Sequence, residues 1–262
     1  MKLTRAVVAC DLNKHYLDFW PIVHEAWKNI IGIPCTLVLI ADEIPEEIAY
    51  KEDIVLFKPI EGVHTAFIAQ CIRLLYPCLL GQEEEGVILS DMDMIPVYKP
   101  FFTDIIADVP SDSFYSYHDI YHEGKQIFMC YVAASPSTWK TIFTVETIED
   151  IYALLNLWYT WVKYEGKHGG EGWFADQQIL YDYIVNQWET PEKLVAKKDS
   201  SVFERLDRSN TRWQNLDFEL MMRIKHGYYK DFHLPPFEAN KQGIMNIYNF
   251  LTDKSSPSEF GK

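Results

Sequence analysis

The chain opens on a short apolar run, Arg5 to Cys10, that breaks off in the polar cluster Asp11-Leu12-Asn13. This pattern predicts a buried parallel strand whose end faces a ligand loop. Tyr16, Trp20, Val23, Trp27 and Ile30 then recur at helical spacing, with Pro21 tolerable only in a first turn and Gly32 and Pro34 ending the element. Cys35 to Ile40 supplies a second strand and Ile54 to Phe57 a short third. The stretch from His64 to Leu80 is apolar on most sides, which predicts a buried helix. Within it Gln70 and Arg73 stand three apart and share one face. After the acidic turn Gly81 to Gly86 comes another β-prone run, Val87 to Leu89.

Beyond Pro100 the pattern predicts a short helix at Phe101 to Ala107 and two strands, Ser113 to Tyr117 and Gln126 to Ala134. The loop between them carries His118, Asp119, His122 and Glu123 without a fixed period and reads as solvated polarity. Ser135 to Thr138 caps a helix containing Trp139 and Phe143, and a longer aromatic helix runs from about Thr147 to Tyr164. A loop with four glycines, Gly166 to Gly172, leads to a helix from about Asp176 to Trp188. Alternating strands and helices with short connections predict an α/β domain: a mostly parallel central sheet with helices on both faces. Residues 1–254 read as one domain and Ser255 to Lys262 as a loose tail.

Composition narrows the classes. Hydrophobic residues make up 48% of 262 and aromatics 15%, enough for a large core. A formal net charge of −14 argues against nucleic acid, which needs dense Lys and Arg. Cys10, Cys35, Cys71, Cys78 and Cys130 show no metal spacing and read as reduced core thiols. The longest apolar run, Ile151 to Val162, is interrupted by Asn156 and Thr160 and is too short for a transmembrane segment. With no secretory signal apparent, a soluble, intracellular, cytoplasmic protein is the expectation.

The most informative segment is Ile88-Leu89-Ser90-Asp91-Met92-Asp93-Met94-Ile95-Pro96. Two carboxylates follow an apolar strand, and in an extended backbone Asp91 and Asp93 would point the same way, with Pro96 ending the strand. Hard cations such as Mg²⁺ or Mn²⁺ take oxygen ligands, commonly one or two carboxylates with substrate phosphates completing the shell. An acidic protein that binds a diphosphate needs such a cation and a few placed basic residues. Asp176, near a helix start, is either a helix cap or a chemical carboxylate.

The order of these features resembles the GT-A class of nucleotide-sugar-dependent glycosyltransferases over approximately Arg5 to Trp188, most specifically in the Asp91-Met92-Asp93 segment. The resemblance implies a Rossmann-like sheet, with a nucleotide-binding half at about 1–100 and an acceptor-binding half at about 101–254. It implies a nucleoside diphosphate sugar donor, UDP- or GDP-linked, and a carbohydrate or glycoconjugate acceptor. By position, Ala9, Cys10 and Asp11 would contact the base, with Asn13 or Tyr16 nearby, and Ser90 and Met92 would flank the donor. Arg73 would approach the ribose or diphosphate. Asp91 and Asp93 would hold the metal, joined by His233 or His226, with His233 preferred because Pro235 and Pro236 follow it. Asp176 would be the catalytic base of an inverting reaction or orient the sugar in a retaining one. Trp173 and Tyr131 are candidates to stack on the acceptor. The rival classes are a haloacid dehalogenase-like phosphatase, a sugar nucleotidyltransferase and a noncatalytic nucleotide- or carbohydrate-binding protein.

Overall fold

In the computed structural model, the structure describes residues 1–81, 83–197, 203–209 and 217–252; the expected tail, Ser255 to Lys262, lies outside them. Four strands run parallel: β1 (Arg5–Asp11), β2 (Cys35–Ile40), β3 (Ile54–Phe57) and β4 (Val87–Ser90). Three more extend the same sheet: β6 (Phe114–Ser116), β7 (Tyr131–Ala134) and β8 (Leu194–Ala196). The order across the sheet is β3-β2-β1-β4-β7-β6-β8, with β7 antiparallel to both neighbours and β8 parallel to β6.

The strands lack alternation because both sheet faces are covered. Val8, Leu37 and Ile88 point to one apolar layer, packed with α2 (Trp20–Ala26), α4 (Lys99–Thr103), α8 (Phe218–Lys225) and α9 (Phe237–Thr252). Val7, Val38 and Leu89 point to the other, packed with α3 (Thr65–Leu75), α5 (Pro136–Phe143), α6 (Ile148–Trp161) and α7 (Ala175–Tyr181). The helix starts follow local chemistry: Ser135 caps α5, and Thr147 with Asp150 forms a reciprocal capping box on α6.

Several boundaries differ from the sequence expectation. The predicted first helix is split into α1 (Lys14–Leu17) and α2, and its last turn, Trp27–Ile31, widens to a π turn before Gly32 leaves the helix at φ +88°. The helix bearing Arg73 stops at Leu75 and tightens to a 3₁₀ turn at Tyr76–Leu79, since Pro77 has no N–H to continue the ladder. The helix expected at Phe101 to Ala107 is α4, two residues earlier and shorter, and the strand expected from Gln126 is ordered only as β7.

The main correction concerns Pro96, which does not end strand structure. Met94–Pro96 is itself a strand, β5, of a second sheet with β9 (Glu204–Asp207) and β10 (Tyr229–His233). β10 is central, antiparallel to β5 and parallel to β9. The chain therefore leaves the large sheet at Ser90 and enters the small one at Met94. Asp91-Met92-Asp93 is the turn between them. Among the described residues no helix is long and apolar enough to cross a membrane.

Candidate active site

A cleft of about 560 Å³ opens at the carboxyl ends of β1 and β4, where open α/β sheets place ligands. Ala9, Cys10, Asp11, Asn13, Tyr16, Arg73, Asp91, Met92, Asp93, Asp176 and His233 all line it, as do Gln70 and Trp173. Residues separated by more than 220 positions are thus brought to one place.

Asp91 and Asp93 do not point the same way. Met92 is buried in the apolar layer, and burying it turns the backbone, closed by the Met94 N–H donating to the Asp91 carbonyl at 3.4 Å. The two carboxylates consequently serve different clusters. Asp91 accepts from Arg73 Nη1 at 2.5 Å, and Arg73 Nη2 donates to Asp176 Oδ2 at 3.0 Å. Arg73 also reaches the Ser90 carbonyl at 3.0 Å. Burial works against the Arg73 charge, but the two carboxylates override it and hold the guanidinium above its ordinary pKa. Asp176, 3% exposed, is pushed up to about 6 because desolvation outweighs the attraction of Arg73. It is not a helix cap: Phe174 occupies that position, and Asp176 Oδ1 accepts from the Gln177 N–H at 2.9 Å.

Asp93 faces the small sheet instead. Its Oδ2 lies 3.1 Å from His233 Nε2, and His233 Nδ1 lies 2.9 Å from Asp207 Oδ2. Burial lowers the His233 pKa, but hydrogen bonds to Asp93 and Asp207 reverse this and leave it raised. Tyr16 is pushed up to about 12, by burial first and then by Asp93 and Asp91, so its hydroxyl keeps its proton. Asp11 Oδ2 accepts from Thr65 Oγ1 at 2.8 Å and its Oδ1 from the Asn13 N–H at 3.0 Å, which shapes the loop after β1.

Three expected residues lie elsewhere. Ser90 is fully buried behind the cleft, its hydroxyl donating to the Asp91 carbonyl at 3.1 Å. Tyr131 is also fully buried, packed against Phe102 with ring centroids 4.9 Å apart, so it offers no face to an acceptor. His226 is exposed at the end of α8 and does not line the cleft. In contrast, His64, His168, Gln177 and Arg208 line it without having been singled out in the sequence. Gly166, at φ +66°, is required here because any Cβ would strike the His64 ring.

Comparison with solved structures gives the architecture its name. LgtC, described as a galactosyltransferase and compared as an active-site mutant, aligns with a TM-score of 0.50 and 12% identity, covering 98% of this chain and 98% of that one. The apo form of the glycosyltransferase GlyE of Streptococcus pneumoniae TIGR4 aligns with a TM-score of 0.50 and 12% identity, over 97% of this chain and 64% of the other. The chain has the GT-A fold. No protein-family model and no curated protein matches the sequence. In this GT-A chain the cleft sits at the edge expected from β1 and β4.

The donor set bears on a cation. Among the described residues no three His, Cys, Asp or Glu side chains converge at metal-ligand spacing. Asp93 and His233 make a pair, however, 3.1 Å apart, and a carboxylate oxygen beside an imidazole nitrogen is a donor set that Mn²⁺ or Mg²⁺ would accept with substrate phosphates completing the shell. Asp207, on the far ring nitrogen, holds the ring in the way that an outer partner would hold a metal-binding imidazole. Asp91 shares its charge with Arg73 and is the third candidate.

Proposed function

We propose that the protein is a glycosyltransferase that moves a sugar from a UDP- or GDP-linked donor to a hydroxyl of a carbohydrate or glycoconjugate acceptor, using Mn²⁺ or Mg²⁺. The observation that carries this reading is the Asp91-Met92-Asp93 turn, which sets Asp93 against His233 in a cleft at the carboxyl ends of β1 and β4. The two aligned proteins of the same fold are glycosyltransferases by name, which supports it.

The cleft lining carries Asp11, Asp91, Asp93 and Asp176 against the guanidiniums of Arg73 and Arg208. A diphosphate entering this field needs added positive charge. Asp93 and His233 would hold the cation, with Asp91 the further candidate ligand, and donor phosphates would complete its shell. When bound, the cation acts as a Lewis acid that stabilises charge on the departing diphosphate. Ala9, Cys10, Asp11 and Asn13 would surround the base, and Tyr16 would contribute a neutral hydroxyl. Ser90 would act only through its backbone, its carbonyl and the Asp91 carboxylate together aiming Arg73 toward the ribose or diphosphate. Trp173, stacked on Tyr164 with ring centroids 6.4 Å apart, would offer a face to the acceptor sugar.

Asp176 is the candidate base, a buried carboxyl on the cleft lining whose pKa of about 6 suits proton transfer near neutrality. In a retaining reaction the same carboxylate would orient the sugar. Calorimetry with UDP and GDP, with and without Mn²⁺, tests the donor site: Asp93→Ala abolishes metal-dependent binding, and binding indifferent to chelator or to that substitution would overturn the metal reading. For the base, Asp176→Asn is expected to bind donor normally while transfer is suppressed. Undiminished transfer would remove Asp176 from that role.

A further inference from the structure

We propose that the ion pair between half-buried Arg205 and fully buried Asp231 is the register pin of the metal clamp, a positioning pair that lines no part of the cleft and sets the separation of Asp93 and His233. The proposal rests on the metal reading of Asp93 and His233 above.

Asp93 and His233 are 140 residues apart in sequence. They meet only through the small sheet, so their separation depends on how three short strands are aligned. β5 has three residues, and the β9–β10 ladder shifts register between Tyr229 and Asp231. Backbone pairing alone is therefore a weak constraint here, and a one-residue slip would turn every side chain to the opposite face.

Arg205 supplies the missing constraint. Its Nε donates to one oxygen of Asp231 at 2.8 Å and its Nη2 to the other at 2.8 Å, while Nη2 also reaches Met94 Sδ at 3.2 Å. One guanidinium on β9 thereby ties β10 and the first residue of β5, next in chain to Asp93. Asp207 and His233 are paired two residues further along the same strands and so form the next rung on that face. Leu206 and Phe232, between the rungs, point to the core and are fully buried. A buried ion pair returns little net stability against apolar replacements, and its better-attested use is fixing register. The bidentate fork suits that use because it constrains orientation as well as distance.

The test is the double variant Arg205→Met with Asp231→Leu, which leaves no charge stranded. Besides the urea midpoint, which checks folding, two readouts are taken: Mn²⁺ affinity by calorimetry, and the ring-nitrogen NMR signals of His233 in metal-free protein. The expected result is a urea midpoint near that of the parent, Mn²⁺ binding weakened about tenfold or more, and displaced His233 signals. A folded double variant with unchanged Mn²⁺ affinity and unchanged His233 signals overturns the pin. Should the double variant not fold, Arg205→Lys keeps the charge without the fork. Smaller changes in the same two readouts support the pin, and none overturns it. If the parent itself binds no Mn²⁺, the metal reading falls, and the His233 signals alone decide the pin in the same two directions.

Discussion

The two halves of the Asp91-Met92-Asp93 turn lead into opposite kinds of environment. Beside the large sheet, Asp91 reaches a charged triad whose other members, Arg73 and Asp176, have side chains 7% and 5% exposed, while Asp91 itself is 29% exposed. On the small sheet, Asp93, His233 and Asp207 form a more open clamp, with the His233 side chain 22% exposed. A buried, saturated cluster holds shape, whereas an open one can exchange partners. The triad is thus suited to rigidity and the clamp to ligand exchange, and substitutions on the two sides should separate stability from binding.

The largest stability effect is expected at the centre of the triad. Arg73→Met leaves the Asp176 carboxylate buried without its partner, which costs about 3–5 kcal/mol when one member of a buried pair is removed. Because an unpaired Asp176 escapes part of this cost by taking up a proton, urea melts should show a larger loss at pH 8 than at pH 5. Equal losses at both pH values would mean that packing around Arg73, not the carboxylate charge, dominates.

Asp176→Asn probes the same triad through pH. The folded-state pKa of Asp176 is raised from 3.8 to about 6, so the folded chain binds the proton more tightly than the unfolded one. The associated stability is fully present below pH 4 and is lost as pH rises through 6, by up to about 3 kcal/mol. The asparagine variant does not ionise there. Its stability relative to the parent should therefore rise by about that amount between pH 4 and pH 7, and a flat difference would show that Arg73 offsets the burial penalty in full.

How far these sites could be read in the sequence follows the same division. β1, β2 and β4 are unbroken apolar runs and the Arg73 helix is apolar on most sides, so Arg73, Asp91 and Asp176 could each be placed on an element facing the same sheet edge. The small sheet gives no such signal. Met94–Pro96 is only three residues long, Glu204–Asp207 is mostly charged rather than an apolar run, and Pro96 reads as a stop because edge pairing cannot be seen locally. Asp207 and Arg205 went unread for that reason, although Arg205-Leu206-Asp207 does alternate. The turn at Asp91 to Asp93 has no local signature, because burial of Met92 is a tertiary fact. Tyr131 and Trp173 are alike as stacking candidates in the sequence, because a core tyrosine and a sugar-stacking aromatic look the same there, and only burial separates them.

On the clamp side the expected stability change is small. His233→Ala removes a half-buried ring whose partners, Asp93 and Asp207, remain partly accessible to water, so the cost is about 1 kcal/mol. Its effect falls on binding: Mn²⁺ with UDP should raise the parent's melting temperature and fail to raise that of the variant. Equal ligand-induced shifts in both would remove His233 from the clamp and leave Asp93 to act with Asp91.

The smallest effect is predicted at His226, and a null result there is informative. Both histidines lie in the last forty residues and were rival candidates for one metal position. His226 ends α8, exposed, beside Gly227 at φ +75°, where the Tyr98 ring leaves no room for a Cβ. The left-handed Gly227 turns the chain from the helix into β10, and six residues later His233 arrives opposite Met94 in the register of that strand. The helix end and the strand thus point the two imidazoles to different places. His226→Gln should change stability by no more than an ordinary surface substitution, about 0.5 kcal/mol, and leave Mn²⁺ affinity at the parent value in calorimetry. A loss of affinity comparable with His233→Ala would mean that α8 swings toward the cleft when the metal binds, and the contrast between a fixed triad and a preformed clamp would have to be given up.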